Sequence, residues 1–146
     1  MVLSKDFREF IELLNEHNVR YLVVGGYAIA LHGHPRYTKD LDLWIWPDKS
    51  NAEKLLKVLN EFGFSNFNYK TEDFLNPDIV VQLGAPPNRI DLLTDLTGVD
   101  FETCYSSKME ITVEGLKINF IDLINLKKNK KAVGKHLDLA DLESLE

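Results

Sequence analysis

The first part of the chain places apolar residues three and four positions apart. This spacing predicts an amphipathic helix over residues 4–17 with one buried stripe. Ser4 is positioned to cap the N-terminus of this helix, because a serine side chain accepts a hydrogen bond from an N–H group of the first turn. The stripe that we expect to be buried consists of Phe7, Phe10, Ile11 and Leu14.

Two short apolar runs follow, each bordered by residues that interrupt regular structure. Residues 21–24 are apolar and stop at Gly25 and Gly26, which is the pattern of a buried strand that enters a tight turn. A short helix is predicted next, over residues 28–31. A second strand is predicted over residues 41–46, where charged and apolar residues alternate at the start.

The rest of the chain changes between helical and β patterns. A third helix is predicted from a cap at Ser50 to about Phe62. Two strand pairs follow, the second joined by a tight turn at Glu114 and Gly115. Two closing helices are separated by Gly134. The predicted strands cover residues 79–83, 89–93, 109–113 and 116–120, and the closing helices cover 121–132 and 137–145.

This mixture of patterns predicts the α/β (α+β) fold class, with helices packed over a mixed β-sheet. The chain has 146 residues and 45% of them are hydrophobic, which is enough for one core. We therefore expect a single domain over residues 1–146, in which helices over 121–146 close the chain.

Charge and cysteine content narrow the possible functions. The net charge of −6 argues against broad, sequence-independent coating of DNA, which needs a strongly basic surface. Cys104 is the single cysteine, so an internal disulfide framework is excluded. The sequence has no run of about 20 apolar residues and no signal-peptide pattern. We therefore expect a cytoplasmic protein that has no membrane partner.

Asp40 and Asp42 are the first candidates for chemistry. Residues two apart on a strand share a face, so both carboxylates would project together while Leu41 and Leu43 enter the core. Adjacent carboxylates repel each other, and a divalent cation relieves the repulsion. Mg²⁺ prefers oxygen ligands and is commonly held by one or two carboxylates together with substrate phosphates.

Asp91 is the best candidate for a third carboxylate. It lies on another predicted strand and can face the same side as the first two if that strand runs alongside. Three carboxylates would make a site for two metal ions more plausible. The alternative is that Asp91 is an exposed strand residue paired with Arg89 or with a lysine.

Gly25 and Gly26 supply a complementary feature. Glycines let the backbone approach a phosphate without a clash at Cβ, and a helix beginning near Tyr27 would present free N–H groups to the anion. The alternative is a tight strand-to-helix turn that binds nothing.

Other notable residues have ordinary structural explanations. His32 and His34 are more typical of packing or loop positions than of a zinc site, and Trp44 and Trp46 favour packing over base stacking. One basic cluster is compatible with a solvated helix face or with a phosphate or RNA contact. It consists of Lys127, Lys128, Lys130, Lys131 and Lys135.

A glycine pair, a spacer with Arg36 and Thr38, the Asp40-Leu41-Asp42 motif and a later aspartate occur in this order. Together they resemble the signature of the minimal nucleotidyltransferases of the DNA polymerase β-like superfamily, most of all the AbiEii-type toxins and related nucleotidyltransferase groups. The closing helices resemble those of the same family, although Lys135 stands where arginine is usual and Leu137 where lysine is usual. The C-terminal residues that carry this resemblance are Asp122, Leu123, Ile124, Lys127, Gly134, Lys135, Asp138, Ala140, Asp141 and Leu142.

The resemblance implies roles for individual residues. Asp40, Asp42 and Asp91 would be catalytic ligands of Mg²⁺ or Mn²⁺, and Asp91 would also activate the acceptor. The glycine pair would form the phosphate-binding turn for a nucleoside triphosphate such as ATP. Further contacts to the nucleotide would come from Arg36, Thr38 and Lys127.

The activity implied is transfer of a nucleoside monophosphate from the triphosphate to a hydroxyl group of a protein, a tRNA or a small molecule, by a two-metal mechanism that releases pyrophosphate. A toxin–antitoxin role is implied by the AbiEii resemblance alone. Two alternatives remain open: a nucleotide-binding or partner-binding module without efficient turnover, and a metal-dependent phosphodiesterase. Because the chain is short, we expect a homo-oligomer or a partner subunit to complete the acceptor site.

Overall fold

A computed structural model describes residues 3–33, 40–63, 68–85 and 88–145. The first predicted helix is confirmed, because Ser4 Oγ accepts a hydrogen bond from Phe7 N at 3.2 Å and the predicted apolar stripe is buried. In the described ranges a 3₁₀ helix covers Thr71–Phe74. The α-helices are α1 (Lys5–Glu16), α2 (Gly25–His32), α3 (Lys49–Phe62), α4 (Phe101–Ser106), α5 (Leu123–Val133) and α6 (His136–Leu145).

The strands form one mixed sheet. In the described residues its order is β3-β4-β2-β1-β6-β5. Neighbouring strands are antiparallel except for the β2–β4 and β1–β6 pairs, which are parallel. The predicted α/β class with a mixed sheet flanked by helices is confirmed. The strand bounds are β1 (Tyr21–Val24), β2 (Leu41–Ile45), β3 (Val80–Leu83), β4 (Ile90–Leu93), β5 (Met109–Val113) and β6 (Leu116–Phe120).

Two predicted helix starts are wrong. Helix α2 begins at Gly25 and not at residue 28. The glycine pair forms the first two residues of the helix instead of a separate turn before it. Helix α3 begins at Lys49, because the Asp48 carboxylate accepts a hydrogen bond from Asn51 N and caps the helix two residues before the predicted Ser50. The sequence patterns also missed the 3₁₀ helix and α4, both of which are short.

The core lies between the sheet and its helices. Leu41 and Leu43 are fully buried, as the alternation on β2 predicted. Trp44 is 2% exposed and meets Phe101 of α4 edge-on, with ring centroids 5.1 Å apart. In the ranges that the structure describes, no helix has the length and apolar character needed to cross a membrane.

Asn51 connects helix α3 to the ends of two strands. Its Oδ1 accepts a hydrogen bond from Arg20 N at 2.7 Å, and its Nδ2 donates to Arg20 O at 3.1 Å and to Trp46 O at 2.9 Å. Asn51 is 3% exposed, so water cannot replace its side chain. Removal of the side chain therefore leaves the backbone groups of Arg20 and Trp46 without these hydrogen-bond partners.

We therefore expect Asn51→Ala to lower the free energy of unfolding by about 2–4 kcal/mol, since each unmet buried polar group costs about 1–3 kcal/mol. Urea unfolding of the variant measures this loss. Asn60→Ala on the exposed side of the same helix is the matched control, and it should change stability by less than about 0.5 kcal/mol. Equal losses in the two variants would show that the Asn51 hydrogen bonds contribute little.

Candidate active site

Asp42 and Asp91 occupy equivalent positions on neighbouring strands. Each is the second residue of its strand, and the two are register partners in the parallel β2–β4 pair. Adjacent strands lie about 4.8 Å apart, and register partners point to the same face of the sheet. Asp91 is 7% exposed, so it is not the exposed strand residue of the alternative interpretation. The structure thus brings together two carboxylates that are far apart in sequence.

Asp40 joins this pair from the residue immediately before β2. The adjacent Leu41 N donates to Arg89 O at 3.0 Å, which continues the β2–β4 pairing up to that point. Asp40 is within reach of the same guanidinium that contacts Asp91. The three predicted carboxylates therefore gather at one end of two adjacent strands.

Arg89 contacts two of the three carboxylates. Its Nε donates to Asp91 Oδ1 at 2.8 Å, and its Nη2 donates to Asp91 Oδ2 at 3.1 Å and to Asp40 Oδ2 at 2.9 Å. Two parallel N–H donors facing one carboxylate form the strong bidentate arrangement of charge-assisted hydrogen bonds. Arg89 was expected from the sequence only as one alternative partner of Asp91, and its role as a bridge to Asp40 was missed. Its signal was the i, i+2 spacing, which places Arg89 and Asp91 on one face.

Asp42 is left without this neutralisation. Burial and, after it, the negative charges of Asp91 and Asp40 raise the pKa of its carboxyl group to about 7. A hydrogen bond between protonated Asp42 and Asp91 also favours the neutral form, whereas Arg89 opposes the shift only weakly. Arg89 alone therefore does not balance the three carboxylates, and near neutral pH Asp42 is only partly ionised.

Gly25 allows the backbone to pass beside this cluster. Its φ is +66°, a left-handed conformation that side-chain-bearing residues rarely adopt. A Cβ atom built at Gly25 would collide with Asp42 Oδ2. Val24, the register partner of Asp42, precedes α2 and makes no side-chain cap hydrogen bond. The first N–H groups of α2 therefore lie next to the carboxylates and are not capped by the Val24 side chain.

The residues present fit a divalent cation in their chemistry. Three carboxylates supply hard oxygen ligands, and burial together with the charges of Asp91 and Asp40 raises the pKa of Asp42, as expected of a carboxyl group that a cation would stabilise in its ionised form. Within the described ranges, however, no three His, Cys, Asp or Glu side chains already surround one point as metal ligands. At this cluster, the guanidinium of Arg89 holds carboxylate oxygens of both Asp40 and Asp91.

Of the other residues predicted to contact the nucleotide, the structure describes one, Lys127. Arg36 and Thr38 lie outside the described residues, as does His34. Lys127 is half-buried on α5. Part of the basic cluster is used internally, because Lys130 Nζ lies 3.2 Å from an Asp138 carboxylate oxygen and 3.5 Å from one of Asp141.

The remaining candidates take packing roles in the structure. His32 Nε2 lies 2.8 Å from Ile121 O, within hydrogen-bond distance. Trp44 is part of the core, and Trp46 stacks on Phe101 at 6.4 Å while the Arg20 guanidinium covers its ring at 4.7 Å. The predicted packing role of the two tryptophans is confirmed.

Solved structures with similar folds come from nucleotidyltransferases. A candidate nucleotidyltransferase of Thermotoga maritima is 18% identical, with a TM-score of 0.58, 94% of this chain covered and 84% of that one. The lincomycin-bound lincosamide antibiotic adenylyltransferase LnuA is 15% identical, with a TM-score of 0.57 and coverages of 99% and 96%. The antibiotic-resistance factor ANT(2'')-Ia is 13% identical, with a TM-score of 0.55 and coverages of 96% and 78%.

No curated protein sequence matches the chain. The structural neighbours confirm the fold, the family model given next supports the nucleotidyltransferase part of the predicted resemblance, and the narrower AbiEii-type part stays a prediction. The model of the aminoglycoside-2''-adenylyltransferase family matches residues 6–84, which include β1, the glycine pair and the Asp40-Leu41-Asp42 motif. Because this match spans more than half of the chain, the protein belongs to the aminoglycoside-2''-adenylyltransferase family.

Proposed function

We propose that the protein transfers a nucleoside monophosphate from a nucleoside triphosphate to a hydroxyl group. The acceptor oxygen forms a bond to the α-phosphorus, the bond from that phosphorus to the oxygen bridging to the β-phosphate breaks, and pyrophosphate leaves with the released electron pair. The observation that carries the proposal is the register of Asp42 and Asp91 across β2 and β4, beside Asp40 and Gly25. Membership of an adenylyltransferase family supports it.

The carboxylates have distinct roles in this proposal. Asp40 and Asp42 hold Mg²⁺ or Mn²⁺, and Asp91 is a further ligand that accepts the proton of the acceptor hydroxyl. When bound, the metal ions neutralise the charge of the triphosphate and of the leaving pyrophosphate. Asp42 and Asp91 are register partners on one sheet face, Asp40 lies just before β2, and Asp91 is almost completely shielded from water.

The N-terminus of α2 binds the phosphates in this proposal. Helix N-termini attract anions because their first N–H groups have no intrahelical partner and lie at the positive end of the helix dipole. Gly25 and Gly26 are the first residues of α2, and the space beside Gly25 that a side chain would occupy is taken by Asp42. A phosphate bound to the N–H groups at the start of α2 therefore lies next to the carboxylates. Arg36, Thr38 and Lys127 remain proposed contributors to nucleotide binding.

ATP is the proposed donor, and a small molecule with a hydroxyl group is the preferred acceptor. The family is named for adenylyl transfer to an aminoglycoside, and LnuA is described as an adenylyltransferase of a lincosamide antibiotic. A protein or a tRNA acceptor remains a rival, as does a toxin–antitoxin role of the AbiEii type. A second copy of the chain or a partner subunit is proposed to complete the acceptor site.

One observation favours a second candidate, a nucleotide-binding or partner-binding module with little turnover. Arg89 already bridges Asp40 and Asp91, so the site can persist as a folded structure without metal chemistry. Among the residues that the structure describes, no specific contact favours the phosphodiesterase alternative.

An assay with labelled ATP separates these functions. The protein is incubated with Mg²⁺ or Mn²⁺, a panel of hydroxyl-bearing antibiotics, tRNA and protein, and ATP labelled at the α- or the γ-phosphate. The proposal predicts that an acceptor retains the α-label and never the γ-label. Nucleotide binding without any retained α-label would favour the binding module, and cleavage of nucleic acid in the absence of ATP would indicate a phosphodiesterase.

Asp91→Asn should reduce the transfer rate by a factor of about 100–10,000, the range for loss of a general base. The amide matches the carboxylate in shape, so the core packing around residue 91 is retained. The kcat of the purified variant measures the effect. Asp95→Asn is the control, because Asp95 is exposed and accepts a hydrogen bond from the neighbouring Leu96 N. An unchanged kcat in Asp91→Asn would remove Asp91 from the proposed mechanism.

A further inference from the structure

Arg89 occupies the centre of the carboxylate cluster. One guanidinium contacts both oxygens of Asp91 and one oxygen of Asp40 through three hydrogen bonds of 2.8–3.1 Å. The Arg89 side chain is 26% exposed, against 10% for Asp91 and 31% for Asp40, so the bridge lies between the protein interior and solvent. The bridge is therefore shielded on the strand side and accessible to ions from solution.

The bridge engages oxygens that a metal would need. A cation that binds Asp40 and Asp91 comes within a few ångströms of the guanidinium that already contacts both oxygens of Asp91, and the repulsion between the two positive charges favours displacement of the guanidinium. Arginine remains protonated in proteins and cannot leave by losing its charge. Its side chain can leave only by moving towards solvent, and that movement is open to a residue that is about one quarter exposed.

We propose that Arg89 is an internal counter-cation that a divalent metal ion displaces when the active site is loaded. In the metal-free protein Arg89 holds Asp40 and Asp91 together against their repulsion. In the loaded protein the metal takes over these carboxylates and the guanidinium is released to solvent. Arg89 is thus a positioning residue for the metal-free site and a competitor of the metal. This inference rests on the metal site of the proposed function.

If Arg89 competes with the metal, Arg89→Gln should lower the stability of the metal-free protein and raise its affinity for the metal. Without metal the variant should be less stable, because the carboxylates lose their counter-charge. With metal it should bind more tightly, because no guanidinium has to be displaced first. A residue that merely orients the ligands for the metal would give the reverse result for affinity, since its loss would leave the ligands disordered.

The first experiment is calorimetric titration of the full chain with Mn²⁺ alone, without nucleotide. Arg89→Gln should bind Mn²⁺ at least tenfold more tightly than the wild type, and its thermal midpoint should be lower in EDTA and rise more steeply with Mn²⁺. Arg20→Gln is the matched control, because Arg20 is exposed over Trp46 and Tyr105 at the opposite end of β2. Its affinity for Mn²⁺ should equal that of the wild type.

The second experiment follows Arg89 directly in the wild type, because charge removal alone also tightens cation binding. The Arg89 Nε–H signal in ¹⁵N spectra should exchange slowly with solvent in EDTA and at least tenfold faster when Mg²⁺ is saturating, while the Arg20 signal is unaffected. If Arg89→Gln does not fold, Arg89→Lys replaces it in the titration. Lysine keeps the charge but has no planar fork, so Mn²⁺ binding should still tighten.

Three results would overturn the inference: equal or weaker Mn²⁺ binding in the Arg89 variants, unchanged protection of the Arg89 Nε–H at saturating Mg²⁺, or no Mn²⁺ binding in any form of the protein. The first two outcomes leave the proposed function standing, whereas the absence of Mn²⁺ binding would count against both. Metal exchange at Arg89 without α-label transfer would refute the transferase alone, and transfer without exchange at Arg89 would refute this inference alone.

Discussion

Asp42→Asn is expected to abolish nucleotidyl transfer and, at the same time, to stabilise the metal-free protein at pH 8. The loss of activity should reach at least about a thousandfold, because a metal ion supplies several kcal/mol of charge stabilisation in the transition state. The gain in stability follows from the same side chain. Asparagine cannot ionise, and its amide can donate to Asp91 as protonated Asp42 does.

The sign of the stability effect follows from the raised pKa of Asp42. This pKa is about 7 in the folded protein against 3.8 for the unperturbed group. Between these values the folded state binds more protons than the unfolded state, so stability falls as pH rises from about 4 to about 7. Each pKa unit corresponds to about 1.4 kcal/mol, so the full shift is worth about 4 kcal/mol; because Asp42 is partly exposed, solvent screening reduces the cost of ionised Asp42 to about 2–4 kcal/mol above pH 7.

Urea unfolding in EDTA from pH 4 to pH 8 tests this prediction. Asp42→Asn and the wild type should have similar stability near pH 4, and the variant should be more stable by about 2–4 kcal/mol at pH 8. Asp95→Asn, outside the cluster, should follow the wild-type curve. A variant less stable than the wild type at pH 8 would show that ionised Asp42 is well accommodated without metal.

Gly25→Ala should cause the second large loss. Its φ of +66° is costly for alanine, by about 1–2 kcal/mol, and the new Cβ would also collide with the Asp42 carboxylate. The collision can be relieved only by moving Asp42 or the start of α2. We therefore expect transfer activity to be lost and the free energy of unfolding to fall by about 3 kcal/mol or more, as measured by kcat and by urea unfolding.

Gly134→Ala separates the two causes. Gly134 has nearly the same φ, +67°, but a Cβ atom at this position would meet Lys131 O at an ordinary contact distance of 3.5 Å. This control should lose only about 1–2 kcal/mol and retain its activity. In an Asp42→Ala background most of the additional cost of Gly25→Ala should disappear. Equal effects of the two glycine substitutions in the wild type would indicate that Gly25 is needed only for its left-handed backbone conformation and not for the space that it leaves to Asp42.

Alternation along the strands predicted the strand positions of two candidate site residues. Asp42 lies on β2 and Asp91 on a strand of its own, β4, as expected, whereas Asp40 lies just before β2 and not within the strand. Burial of Leu41 and Leu43 follows from the same two-residue period. These features depend on local geometry, which a sequence pattern reports directly.

The features that sequence patterns missed depend on tertiary contacts. Strand order cannot be read from periodicity, so the pairing of β2 with β4 that brings Asp42 to Asp91 emerged only from the fold. The triple hydrogen bonding of Arg89 depends on that pairing as well. The start of α2 was placed too late because Gly25 usually indicates a turn, while here the close approach of Asp42 requires glycine within the first helical turn.

In the proposed function, Asp40, Asp42 and Asp91 hold metal beside a triphosphate bound at the start of α2. Its most direct test is a crystal structure of the protein soaked with Mn²⁺ and a non-hydrolysable ATP analogue, with the ions located by anomalous scattering. We predict Mn²⁺ bonded to oxygens of all three aspartates and phosphate oxygens against the N–H groups of Gly25 and Gly26. Mn²⁺ bound away from these aspartates, or a triphosphate placed elsewhere on the protein, would contradict the account.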